Sequence, residues 1–226
     1  MPAGSIGKVT DRQSRMAFLQ ANTKLLVSKL VPEIKLHLAE ESLPIWRKTE
    51  EELGEINLPP PFWAFAWAGG LALARYVLDN PSLVAGKRVL DLGSGSGLVA
   101  IAAKRAGAAE VLAADVDLFA SAAVLINAEA NAVSLRVTED DILDTTPSDI
   151  DVLLVGDLFY ERDLTERVVS FMERTAATGA PVLVGDPRRS YFPAERFTNL
   201  ARYDVPTTRE LEDQEIKRAA VWRWKG

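Results

Sequence analysis

Residues 90–100 read LDLGSGSGLVA, with glycines at 93, 95 and 97, Ser94 between the first two, and an acid, Asp91, two places ahead of them. Glycine has no Cβ, so alternate glycines leave a turn whose backbone a ligand can touch. A helix starting behind such a turn adds unpaired N–H groups. A dinucleotide fingerprint, G-x-G-x-x-G counted from Gly93, needs its third glycine at position 98, where this chain has Leu98. A carboxylate facing a pyrophosphate repels it, whereas a carboxylate near an ammonium or sulfonium attracts it. Asp91, Gly93, Ser94, Gly95 and Gly97 therefore point to a ligand that carries positive charge. Asp115, followed by Val116, ends the run AEVLAAD, about 20 residues on, the place from which a carboxylate grips ribose hydroxyls. Asp141, followed by Ile142, could take a bond from an adenine amine. A nucleoside that bears an amino acid and a cation is S-adenosylmethionine. The plainer readings are a strand-to-helix turn for the glycines, a helix cap for Asp115 and a solvated acid for Asp141.

These residues need a frame that gathers them. After Gly86, short β-branched or leucine-rich runs alternate with helical stretches, as in a parallel sheet covered on both faces. Strands are expected at 87–93, 109–116, 135–139, 151–158 and 180–186, with helices at 97–106, 118–130 and 162–177. ARYDVP and IKRAAVWRWK then read as two strands joined by an acidic loop, an antiparallel pair. The fold class expected is α/β, a doubly wound Rossmann-like seven-strand sheet, mostly parallel, with a C-terminal antiparallel hairpin and N-terminal helices. One domain spans 1–226, with residues 1–85 as a helical segment and covering helix, and 86–226 as the α/β core. Within the first part, apolar residues at Phe18, Leu25, Leu26, Leu30, Ile34 and Leu38 fall at helical intervals, interrupted at Pro32. Residues 42–62 are polar and end in LPPPF, and WAFAWAGGLALARYVLDN resumes a helix that stops before Pro81.

Composition narrows the field. A chain of 226 residues suits one sizeable core, and no run of apolar residues approaches the roughly 18 a membrane span requires. Lys plus Arg number 26 against 32 Asp plus Glu, a net charge of -6 that disfavours a polyanionic partner. With no cysteine there is no disulfide, thiolate metal site or cysteine nucleophile. The opening MPAGSIGKVTDRQSR lacks the apolar centre of a secretory signal. The expectations are a cytoplasmic protein, no membrane, no nucleic acid and no metal.

The chain resembles the class I seven-strand methyltransferases, and within them the lysine methyltransferases of the electron transfer flavoprotein β-subunit. The resemblance rests on PPPFWAFAWAGGLALARYVLDNP, GKRVLDLGSGSG, GDLFYERDL, VLVGDPRRSYF and the terminal VWRW, in that order. It implies transfer of methyl groups from S-adenosylmethionine, with S-adenosylhomocysteine as product, to lysine side chains of a folded partner. That partner is the flavoprotein subunit, with a ribosomal protein as the alternative. By the same resemblance Asp157 and Tyr160 orient the incoming amine, Asp157 also counts among the cofactor-binding residues, Phe159 walls the channel or packs beneath it, and Trp67 with Gly69 closes over the methionine end of the donor. The charge of Asp157 helps capture lysine as an ammonium but opposes loss of its proton. Nucleobase amine methyltransferases often carry D-P-P-Y at this place, and this chain has D-L-F-Y. Trp63 and Trp67 share a face if a helix has begun there. Asp186, Arg188 and Arg189 either meet an acidic partner or form a solvated loop. His37 reads as structural, and Trp222 and Trp224 as core or sheet-surface residues. A small-molecule N-methyltransferase, a non-catalytic sensor of the donor and a nicotinamide-dependent oxidoreductase are the competing readings.

Overall fold

The structure is a computed structural model that describes residues 11–39, 61–207 and 215–225. The polar stretch 42–60 and most of the acidic loop expected before the last strand lie outside these. Its frame is a seven-stranded sheet of β3 (Arg88–Leu92), β4 (Glu110–Ala114), β5 (Arg136–Thr138), β6 (Val152–Gly156), β7 (Val182–Asp186), β8 (Phe197–Pro206) and β9 (Ile216–Trp224), ordered β5-β4-β3-β6-β7-β9-β8. The first five in that order run parallel, and β9 pairs antiparallel with both β7 and β8. β8 begins four residues earlier than the sequence indicated and carries a bulge between Asn199 and Ala201. Among the described residues no helix is long and apolar enough to cross a membrane.

Side-chain alternation explains why the inner strands are apolar throughout. Val152 and Leu154 of β6 join one core, with α2 (Ala68–Asp79) and α3 (Leu98–Arg105), while Leu153 and Val155 join the other, with α5 (Arg162–Ala177). Successive strand residues face opposite sides, so a sheet covered on both faces needs apolar residues at every position. The winding reverses between β3 and β6, and the crevice at their carboxyl ends is where open α/β sheets bind ligands.

The N-terminal part departs from the helix expected over 11–41. α1 (Arg12–Asn22) is capped by Asp11, whose carboxylate accepts from Ser14 N–H, and it ends at Thr23. β1 (Lys24–Val27) and β2 (Lys35–Leu38) then form an antiparallel hairpin, so His37 lies on a strand. The edge of β2 is satisfied by α4 (Leu118–Ala130) and its C-cap. Asn131 Oδ1 accepts from Lys35 N–H at 3.0 Å, and Asn127 Oδ1 accepts from His37 N–H at 2.6 Å. The covering helix also starts later than expected: Phe62–Ala64 form one 3-10 turn, and α2 begins only at Ala68. Trp63 and Trp67 therefore do not share a helix face.

Candidate active site

All three glycines of the turn after β3 lie in the left-handed region, with φ of 66° at Gly93, 49° at Gly95 and 79° at Gly97. Side chains other than glycine adopt that region at a cost, so the turn needs glycine for its path as well as for access. Gly97 caps α3. The turn is sewn to β4, where the Ala114 carbonyl accepts from Gly93 and Ser94 N–H. Asp115 Oδ2 accepts from Gly95 N–H at 2.8 Å, and its Oδ1 accepts from Asp117 N–H at 3.0 Å. On the other side Asn127 Nδ2 donates to the Ser96 carbonyl at 2.8 Å, so one α4 asparagine braces both the turn and the N-terminal hairpin. The Ser94 hydroxyl is buried in this turn without a hydrogen-bond partner.

Asp91 takes a different place from the one its spacing implied. Its carboxylate is buried beneath the turn, where Oδ2 accepts from Ala100 N–H at 2.9 Å, and it does not line the cavity. Burial pushes its carboxyl up to about 8. Because it lies beneath the turn and off the cavity wall, the attraction of a cationic ligand falls to other acids.

A second cluster stands across β3, at the end of β6. Asp157 has φ of 57° and a nearly buried carboxylate. Gly70 N–H, in the first turn of α2, donates to its Oδ2 at 2.7 Å, and the Arg189 guanidinium donates twice to its Oδ1, from Nε at 3.1 Å and Nη2 at 2.8 Å. A helix N-terminus carries partial positive charge, so both partners oppose the carboxylate's charge. The guanidinium lies over the Trp67 ring, 5.5 Å from its centroid. Asp186, fully buried, accepts from Arg189 N–H at 2.7 Å and so fixes the loop that carries the guanidinium. Burial first, then the charge of Asp157, raises the Asp186 carboxyl to about 7. α2 can reach Asp157 only because Gly69 and Gly185 are bare. A Cβ on Gly69 would overlap the Gly185 carbonyl oxygen and stand 2.6 Å from Asp157 Oδ2.

Between the clusters lies a cavity of about 420 Å³. Of the residues singled out from the sequence, Trp67, Gly93, Gly95, Asp115, Val116, Asp141, Ile142, Asp157 and Tyr160 line it, whereas Gly69, Asp91, Ser94 and Gly97 do not. Gly97 packs instead on Val124, and Gly69 is pressed onto Gly185 and Asp157. Asp141 pairs with Arg167 at 2.9 Å, and Leu143 N–H donates to its other oxygen. Tyr160 is half-exposed and packs against Phe62, ring centroids 5.4 Å apart. Phe159 is wholly buried below the floor, edge-on to Phe192. Trp63 is buried, stacks on Phe119 and also reaches the cavity wall. Arg189, weighed in the sequence as a partner contact or a solvated loop residue, lines the cavity and grips Asp157. Asp117, Asp140 and Leu158 are among the lining residues that were not marked in the sequence. For Asp117 the signal was its place as the cap of α4 in the run DVD. The wall thus carries five aspartates (Asp115, Asp117, Asp140, Asp141 and Asp157) against Arg167 and Arg189. No cluster of potential metal ligands occurs among the described residues.

Comparison with known proteins decides the family. The chain is 36% identical over 98% of its length to the electron transfer flavoprotein beta subunit lysine methyltransferase of Rattus norvegicus, covering 88% of that protein. The Homo sapiens protein of the same name is 35% identical over 91% of this chain and 80% of its own length. The chain belongs to this family. It is a methyltransferase. A family described as Ribosomal protein L11 methyltransferase (PrmA) also matches residues 72–157 of this methyltransferase, α2 through Asp157. Among solved structures, the ribosomal protein L11 methylase from Lactobacillus delbrueckii subsp. bulgaricus superposes with a TM-score of 0.50 at 18% identity, over 72% of this chain and 81% of that one. Magnesium protoporphyrin IX methyltransferase from Synechocystis, with SAM bound, gives 0.51 at 15% identity, over 69% of this chain and 78% of that one. Both likenesses concern the fold.

The cavity of this methyltransferase suits an adenosyl sulfonium. The bare backbone of Gly93 and Gly95 offers polar groups to an amino acid end, Asp115 offers carboxylate oxygens to a ribose, and the excess of aspartates favours a cation.

Proposed function

We propose that the protein transfers methyl groups from S-adenosylmethionine to lysine side chains of the electron transfer flavoprotein β-subunit. The observation that carries this reading is the cluster of Asp157, Tyr160 and Trp67 on the cavity wall opposite Asp115, in a chain that matches the flavoprotein-directed relatives along nearly its whole length. The donor supplies an activated methyl on a sulfonium. The protein's own task is alignment of an amine with that carbon, because an in-line displacement needs no metal and no strong base. The new N–C bond forms as the C–S bond breaks, the sulfur departs as a neutral thioether, and the amine sheds one proton. At pH 7 a lysine of ordinary pKa is neutral in only about one molecule in a few thousand, a deficit of roughly 4–5 kcal/mol. Desolvation beside a sulfonium lowers that deficit.

The test is incubation of the pure protein with labelled donor and purified flavoprotein. The expected outcome is methylated lysine in the β-subunit, found by peptide mass spectrometry, with no label passed to free amines. Label on a ribosomal protein alone would favour the second reading, which draws on the L11 methyltransferase match. A cytoplasmic address is part of this proposal and is checked by fractionating the source cells.

A further inference from the structure

The wall that meets the substrate amine contains a completed cation site, already filled by a side chain of the protein itself. Asp157 supplies the anion, Trp67 the aromatic face and Arg189 the cation, and all three line the cavity. The side chain of Asp157 is 9% exposed and that of Arg189 18% exposed, so the pair is shielded from the solvent that screens surface charges. A bare buried carboxylate here would bind lysine tightly as an ammonium and hold its proton, the reverse of what methyl transfer needs.

We propose that Arg189 is a positioning residue of the methyl-transfer site, neutralising Asp157 and occupying the Trp67 face so that the substrate lysine is received as an amine instead of being trapped as an ammonium. This rests on the lysine methyltransferase reading. It assigns a sign to the net effect of Asp157: the carboxylate orients through a neutralised pair, and the ammonium gains little from it. Two features of the fold serve that end. The buried Asp186 carboxylate anchors Arg189 through its backbone N–H, and the first turn of α2 sets its Gly70 N–H on the other oxygen of Asp157. Both brace the pair from the protein side. The remaining charged and titratable groups around the amine's approach come from the other elements. Asp115 and Asp117 stand at the end of β4, Asp140 and Asp141 with Arg167 beyond β5, and Tyr160 with Glu161 after β6. Arg188 is exposed. None of these has a hydrogen bond to Asp157 among the described contacts, whereas the Arg189 guanidinium bonds its Oδ1 twice.

The experiment is the pH dependence of kcat, at saturating flavoprotein and donor, for the wild type, Arg189→Gln, Arg189→Lys and the double variant Asp157→Asn/Arg189→Gln. kcat reports ionisation in the bound complex, so its rising limb follows the bound lysine. In Arg189→Gln the limb should move to higher pH by about one unit or more, with kcat at pH 7 down about tenfold or more while KM for the protein substrate falls. Arg189→Lys, which keeps the charge, should hold its limb near that of the wild type, and the double variant should return towards it. An Arg189→Gln limb that does not move, or a double variant displaced as far as the single one, overturns the inference in an enzyme that still methylates lysine. A wild type that transfers nothing to lysine overturns this inference and the functional reading together.

Discussion

Asp115 and Asp157 stand at the ends of strands on either side of β3, face the same cavity and each accept from backbone N–H groups, yet they are built for different neighbours. Asp115 is held by Gly95 and Asp117 N–H, with no cation among its described partners, and burial raises its carboxyl above the usual range. Asp157 is held by a helix end and a guanidinium. The first arrangement presents carboxylate oxygens to neutral hydroxyl donors. The second keeps a carboxylate from acting as a bare anion beside an amine that must lose its proton. One strand-end position on a sheet therefore serves two chemistries, according to whether an arginine from a neighbouring loop reaches it.

Breaking the two acids separately sharpens that contrast. Asp157→Ala removes the carboxylate that the mostly buried Arg189 guanidinium grips beside the reacting atoms, and kcat should fall about a hundredfold or more, while donor affinity changes by less than about threefold. Asp115→Ala should do the opposite, weakening donor binding by more than about tenfold in calorimetry through loss of the ribose contact. If both variants lost affinity equally, the division of labour between the two ends would be wrong.

A subtler break is steric. Gly69→Ala forces α2 away from Gly185 and draws Gly70 N–H off Asp157 while leaving the glycine turn in place. Overpacking of this kind costs about 1–3 kcal/mol in stability, to be read by denaturant unfolding. kcat should fall further than donor affinity does.

The smallest effect is a slope. The carboxyls of Asp117, Asp186 and Asp91 are raised by burial to about 6, about 7 and about 8, from 3.8 in the absence of the fold. The folded chain therefore retains protons that the unfolded chain has released. Their contribution to stability is full at low pH and is lost as pH rises through the folded values. The thermal midpoint should be lower at pH 8.5 than at pH 5.5, and Asp91→Asn, whose amide oxygen can still accept from Ala100 N–H, should flatten the slope. His37, lowered by burial, works the other way, but only as one group near the acid end of that range. The lowered acids Asp151 and Asp141 change charge below it. A midpoint that rose with pH would contradict these assignments.

How much of this the chain disclosed on reading depends on how local the cause is. β3 to β7 and the glycine turn were legible because apolar runs, left-handed glycines and strand-end acids are properties of neighbouring residues. The hairpin of β1 and β2 was not. Leu26, Leu30 and Leu38 also fit a helical spacing, and the strand's partners are Asn127 and Asn131, some 90 residues away. Asp91 looked like a ligand contact from its spacing, but a strand alternates its faces, and only the packing of α3 fixes which face Asp91 takes. Arg189 was weighed as a surface charge because nothing near it in sequence reveals that it bonds Asp157 across 32 residues.

The most direct measurement of the central claim is a crystal structure of the protein with S-adenosylhomocysteine, the demethylated product that marks the donor's place. The account expects the ribose on Asp115, the glycine turn against the amino acid end, and the sulfur facing the wall formed by Trp67, Tyr160 and the Asp157–Arg189 pair. Density for the ligand in another part of the molecule, or with its sulfur turned away from that wall, would contradict it.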